Sequence, residues 1–238
     1  GEEEIGSVHY PQIVAAYEER LKTASGVLFP MNSKRPGGQV IMDLGVKGIV
    51  YWELEATGGA WGGPRNNEIH GSYRVLVDSP PMRLARAITS MTAADGNTVV
   101  VPGFYDGIEP PSVAQQRLIN GMAKVWDDAG VQESLGVDRW VYDVTGRDAI
   151  VQYLYMPTLN VDGIWGGYID AGTKTVLPHK ATAKMDSRLP PGLDPDETLE
   201  KIRRHLDEQG FGDLVIREYD SYPAAHTQVE DPFVQAAI

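Results

Sequence analysis

Apolar positions recur along this chain with two alternating periods. Between Pro11 and Lys22, Ile13, Val14, Tyr17 and Leu21 fall at helical spacing and predict a helix. Val27-Leu28-Phe29 is a short apolar run closed by Pro30, and predicts a short buried strand. Gly48 to Ala56 is rich in β-branched and aromatic residues and predicts a longer strand. Thr57 to Gly71, dominated by Gly, Asn and Pro, predicts loop. From Pro80 to Met91 the helical period returns, with proline in the first turn, where its missing N–H costs nothing. Asp95-Gly96-Asn97 predicts a turn, Thr98 to Pro102 a strand, and 112–129 a helix. Thr182 to Leu189 alternates as a strand and stops at Pro190-Pro191-Gly192. Pro195 to Gln209 predicts the best-defined helix, with Asp194 as N-cap, Asp196 and Glu197 against the positive helix end, and Gly210 as stop. Leu214 to Tyr219 predicts a last strand. This order of elements predicts an α+β fold, with helices on one face of an antiparallel sheet.

Composition narrows the function. Of the 238 residues 42% are hydrophobic, enough to bury a sizeable core. No apolar run approaches the ~18 residues of a membrane-spanning helix. A net charge of -12 argues against a nucleic-acid or anionic-membrane surface. The absence of cysteine removes disulfide and thiolate chemistry. The chain opens Gly-Glu-Glu-Glu-Ile-Gly-Ser and closes on a helix-like segment without a cap, so both ends are expected to be internal to something longer.

Glu2-Glu3-Glu4 on its own fits an acidic cluster that a helix N-terminus favours. In the context Gly-Glu-Glu-Glu-Ile-Gly-Ser, however, it resembles the signature around the catalytic base of the two-zinc aminoacylase–carnosinase–acetylornithine deacetylase family. Leu44-Gly45-Val46-Lys47-Gly48 is similar to that family's entry into its second, lid domain. Glu68-Ile69-His70-Gly71-Ser72-Tyr73 resembles its Asp-Leu-His-Ser-Gly loop. Val101 to Ile108, Leu159 to Gly167, Gly172 to Pro178 and Ser187-Arg188-Leu189-Pro190 resemble its carnosinase-like branch.

The resemblance implies roles. Glu3 would be the general base and Glu4 a ligand to one of two divalent ions, expected to be zinc; adjacency lets one carboxylate hold metal while the next handles the proton of the attacking water. His70 would stabilise the tetrahedral oxyanion in a partner's site, and its Gly- and Asn-rich loop predicts an extended, projecting segment. Arg188 would bind the substrate's free carboxylate, for which a guanidinium fork is suited, and Thr175 would reach the substrate from the partner subunit. Read without the family, a loop histidine is usually solvated, Arg188 a surface-strand ion pair and Thr175 a strand hydroxyl. His9, His179, His205 and His226 lie at no metal-ligand spacing.

The family's other ligands, a His-x-Asp element and a bridging Asp upstream and a His far downstream, have no counterpart between Gly1 and Ile238. The acid expected after the strand at 27–29 falls on Met31, a poor ligand for such ions. The resemblance therefore implies residues 1–44 as a strip of an α/β catalytic domain, 45–228 as the lid or dimerisation domain, and 229–238 as the return. It further implies a cytoplasmic homodimer acting on small peptides or N-acyl amino acids, completed by the rest of the catalytic domain. A non-catalytic dimerisation module, or a pseudoenzyme of the same family, is the rival reading, favoured by Met31.

Overall fold

A computed structural model describes Ser7, residues 9–29 and residues 40–237. The described residues fall into two units, one reaching up to Val46 and resuming at His226, the other Lys47–Ala225. Among them no helix is long and apolar enough to cross a membrane.

In the first unit the helix expected over 11–22 is two, α1 (Tyr10–Ala16) and α2 (Glu18–Leu21). Tyr17 leaves helical geometry at φ -115, ψ 13, while its N–H still reaches back to Ile13 and Val14. Val27, Leu28 and Phe29 form no strand: they are exposed, and no described strand pairs with them. Later in the chain β1 (Gly45–Val46) and α8 (Pro232–Ala237) complete this unit, and the Phe233 ring of α8 lies where a side chain on Gly26 would stand.

The second unit is built on β2 (Gly48–Thr57), β3 (Ile69–His70), α3 (Pro80–Ser90), α4 (Val113–Ala123), α5 (Asp128–Leu135), α6 (Gly146–Tyr155), β4 (Asn160–Trp165), β5 (Val176–Leu177), β6 (Lys180–Leu189), α7 (Pro195–Glu208) and β7 (Val215–Tyr222). Four strands make an antiparallel sheet in the order β4-β6-β2-β7. The central pair runs in unbroken register from Gly48 opposite Leu189 to Thr57 opposite Lys180. Successive side chains then point to opposite faces. Val50, Trp52, Leu54 and Ala56 of β2, with Ala181, Ala183, Met185 and Leu189 of β6, form one buried apolar face. Leu84, Ala87 and Met91 of the α3 region and Leu199, Ile202 and Leu206 of α7 close over it. The α+β architecture read from the periodicities is thus the one observed. The Asp194 carboxylate caps α7 by accepting the Glu197 N–H at 3.0 Å, as its position predicts.

Two expectations fail here for identifiable reasons. Residues 98–102 form no strand beyond a single bridge between Thr92 and Val99; Val99, Val101 and Phe104 are apolar because they fill the core. The helix expected over 112–129 ends at Ala123, and α5 restarts at Asp128 after Asp127 turns to extended geometry. The reason lies in Asp128. Its Oδ1 accepts both indole N–H groups of Trp126 and Trp140, at 2.7 and 2.8 Å, and its Oδ2 accepts the Gly146 N–H at 2.7 Å. One carboxylate thereby ties α5 to the start of α6. Asp128→Ala would strip three donors of their acceptor and is expected to cost about 2 kcal/mol or more in a urea titration of the chain.

Candidate active site

The sheet face away from the helices is polar. On it Glu53 and Glu55 of β2 stand among Lys180 and Lys184 of β6 and Arg217 and Tyr219 of β7. Arg217 donates to Glu53 at 3.0 Å and to Glu55 at 2.9 Å, and Tyr219 donates its hydroxyl to Glu53 at 3.0 Å. The Lys184 ammonium sits 3.7 Å from the Tyr219 ring centroid, a cation–π contact. Hydrogen bonding from Arg217, against the opposing pull of burial, holds the Glu55 carboxyl down at about 2. A depressed folded-state pKa contributes stability that is complete above the unfolded carboxylate range and lost as pH falls through the folded value. Replacing Glu55 by Gln is therefore expected to destabilise the chain by about 2 kcal/mol at pH 7, allowing for the half-exposed Arg217. That difference should shrink steadily from about pH 4.5 towards pH 2, as read from urea midpoints across the range.

His70 ends β3, which pairs with β5 so that Ile69 lies opposite Leu177 and His70 opposite Val176. The Gly71 N–H donates to the Thr175 carbonyl at 3.1 Å, and Lys174 pairs with Glu68 across the same two segments. The Ser72 N–H donates to His70 Nδ1 at 3.2 Å, with Ser72 Oγ 2.8 Å from the same nitrogen. A neutral imidazole held in this way carries its proton on Nε2, which makes that nitrogen the donor. Thr175 Oγ1 lies 3.4 Å from Nε2, and both side chains are exposed. His70 and Thr175, two candidates 105 residues apart, are thus neighbours.

The loop leading to His70 is not an extended arm throughout. Gly58 abuts Pro64 so closely that a Cβ there would run into the Pro64 carbonyl. Trp61 donates its indole N–H to Thr57, and Arg83 stacks over its ring 4.8 Å from the centroid. The loop folds back over 57–64, where Gly63 and Pro64 are buried, and residues 65–68 are exposed before Ile69 and His70 pair with β5. Beyond His70, Tyr73, Val75 and Leu76 are exposed, the latter two at 87% and 81%.

Arg188 lies near the end of β6, on the polar face. Its backbone is fastened to Thr158: the Arg188 N–H donates to Thr158 Oγ1 at 3.1 Å, and the Thr158 N–H donates to the Arg188 carbonyl at 3.0 Å. Its guanidinium Nε pairs with Asp186 Oδ1 at 3.2 Å. Asn160, opposite Asp186 on β4, donates to both oxygens of that carboxylate at 3.2 Å. Asp162 sits where the β4–β6 register slips. Partial burial, and then the hydrogen bond and charge of Asp186, push its carboxyl up to about 6. Among the described residues no hydrogen bond or ion pair joins the Arg188 group to the His70–Thr175 group.

Glu3, Glu4 and Met31 lie outside the described residues. Within the described set no group of three or more His, Cys, Asp or Glu could hold a metal ion, so the residues described here do not themselves form a metal centre. His205 of α7 is buried, with Nε2 hydrogen-bonded to the Ser90 carbonyl at 2.9 Å, a structural role. Sequence reasoning passed over Asn160 and Asp186. Asp186 was legible in principle, since residues two apart on a strand share a face and Arg188 is its neighbour.

The profile of the peptidase dimerisation domain, M20_dimer, matches residues 44–213. The chain belongs to that family. This M20 dimerisation domain is 25% identical over 215 residues to the Beta-Ala-His dipeptidase of Rattus norvegicus, covering 87% of the chain and 40% of that protein. It is 23% identical over 212 residues to the Cys-Gly metallodipeptidase of Schizosaccharomyces pombe, covering 87% of the chain and 42% of that protein. The crystal structure of an M20 family metallo-carboxypeptidase from Sulfolobus solfataricus superposes with a TM-score of 0.86 at 32% identity, over 99% of this chain and 51% of that one. The chain thus spans about two fifths of the curated relatives and half of the solved one. The family found is the one that Glu68 to Tyr73, Leu159 to Gly167 and Gly172 to Pro178 resemble.

Proposed function

We propose that this chain belongs to a metal-dependent hydrolase of dipeptides or related amides, a dipeptidase, carboxypeptidase or N-acyl-amino-acid deacylase that works as a homodimer. In this reading residues 45–228 are the lid and dimerisation domain, and residues 1–44 and 229–238 belong to the catalytic domain. Glu3 takes a proton from the attacking water and delivers it to the leaving amine. Two divalent ions, zinc by expectation, would be held by Glu4 together with residues outside the described set. His70 donates from Nε2 to the oxyanion of the partner's site, Thr175 contributes its hydroxyl beside it, and Arg188 receives the substrate's free carboxylate.

The observation that carries the reading is the pairing of His70 with Thr175. A solvated histidine has no need of a fixed tautomer, yet Ser72 fixes this one and leaves Nε2 as an exposed donor beside a hydroxyl. The apolar Tyr73, Val75 and Leu76 next to it suit burial against a second copy rather than water. The rival, a dimerisation module without catalysis, would leave that donor geometry without a use.

The test is a kinetic comparison in the full-length protein. A dipeptide should be hydrolysed, and the same peptide amidated at its C-terminus should bind far more weakly. Equal KM for the two, or no hydrolysis of any small peptide or N-acyl amino acid by metal-loaded protein, would remove this reading.

A further inference from the structure

Arg188 is half exposed, and a long side chain in that position would ordinarily sample many rotamers. It is nevertheless held from one side. Asp186 is almost wholly buried, and it engages the guanidinium through Nε. The other polar contacts of that carboxylate come from β4: the Asn160 amide bridges both of its oxygens, and the Asp162 carboxyl shares a hydrogen bond with it. Asp186 is therefore itself fixed by the strand across from it. A guanidinium held at Nε turns the edge carrying its two terminal nitrogens away from the holder, and those nitrogens form a fork that matches a carboxylate.

We propose that Asp186 is a positioning residue: it aims the Arg188 fork at the free carboxylate of the substrate, with Asn160 fixing Asp186 in turn. The proposal rests on the reading of Arg188 as the carboxylate receptor. Two effects of Asp186 oppose each other. Its negative charge repels the substrate carboxylate, whereas its grip on Nε spares the side chain from being immobilised on binding. Arg188 is exposed enough for water and salt to weaken the repulsion, while the cost of ordering a rotamer-rich side chain remains. Positioning should win.

The experiment uses the full-length, metal-loaded protein and two substrates, a dipeptide and its C-terminal amide. Asp186→Asn is expected to raise KM for the dipeptide by roughly five- to tenfold, the size of one side-chain ordering penalty. It should leave kcat within about twofold and the KM of the amide unmoved. Arg188→Ala serves as the second arm and should raise the dipeptide KM by more. If Arg188→Ala raises KM while Asp186→Asn leaves it unchanged or lowers it, Asp186 does not position the fork, and the inference is overturned with the Arg188 assignment intact. If Arg188→Ala itself leaves KM unchanged, the receptor reading fails and the inference falls with it. Should Asp186→Asn not fold, Asn160→Ala tests the same relay from the other end. It must raise the dipeptide KM selectively; an equal effect on both substrates overturns the inference.

Discussion

His70→Ala in the full-length protein is expected to lower kcat by about 10²–10³, with little change in KM. The size follows from what the imidazole would do. A preorganised donor aimed at a developing oxyanion acts in the transition state and hardly at all in the ground state, so its loss appears in turnover. The preorganisation lies in the β3–β5 pair, which sets His70 opposite Val176, and in the Ser72 N–H, which occupies Nδ1 and leaves the proton on Nε2. His70→Asn keeps a donor but loses that anchoring, and should recover only part of the loss. Ser72→Pro removes the N–H that fixes the tautomer and should lower kcat in the same direction without touching the imidazole. Stopped-time product assays at saturating substrate measure all three.

The largest expected effect belongs to Glu3→Gln. An amide is nearly the size of a carboxylate but cannot accept the proton of the attacking water, so turnover should fall by about 10²–10⁴ or more. Because Glu4, and not Glu3, is assigned to the metal, Glu3→Gln should retain the metal content of the wild type, whereas Glu4→Ala should lose part of it. Elemental analysis of the purified variants separates the two roles. Loss of metal on Glu3→Gln would exchange the two assignments.

Much of the fold was legible because its core is made of long, periodic elements. β2, β6, α3 and α7 carry most of the buried apolar side chains, and their periods of 2 and 3.6 are visible in the sequence. β4 was not legible: it is an edge strand whose residues are mostly exposed, so no alternation marks it. The break between α4 and α5 was hidden because Asp128 acts through Trp140 and Gly146, beyond the window in which helical period is read. The apolar run at 98–102 misled for a related reason, since core burial and strand pairing ask for the same residues.

The candidate site divides along the same line. His70, Thr175 and Arg188 stood out only through a resemblance, because an isolated loop histidine or strand arginine has an ordinary surface explanation. What places His70 beside Thr175 is a two-residue strand pair between segments about a hundred residues apart in sequence, a contact no local pattern encodes. Asp186 is the opposite case. Its spacing from Arg188 was on view, but its importance depends on burial and on Asn160 across the strand, which only the sheet register reveals.

If His70 serves a site on another copy of the chain, subunit mixing should restore activity to two inactive variants. Full-length His70→Ala and Glu3→Gln proteins should each be nearly inactive as separate dimers. After subunit exchange, verified by mass or fluorescence, half of the dimers carry one of each chain. In each hybrid the site that owns Glu3 on the His70→Ala chain receives His70 from the Glu3→Gln chain. Recovery of about a quarter of wild-type activity is the predicted result, one intact site in every hybrid dimer. A mixture shown to have exchanged subunits that stays as inactive as its parents would contradict the account and return His70 to its own chain.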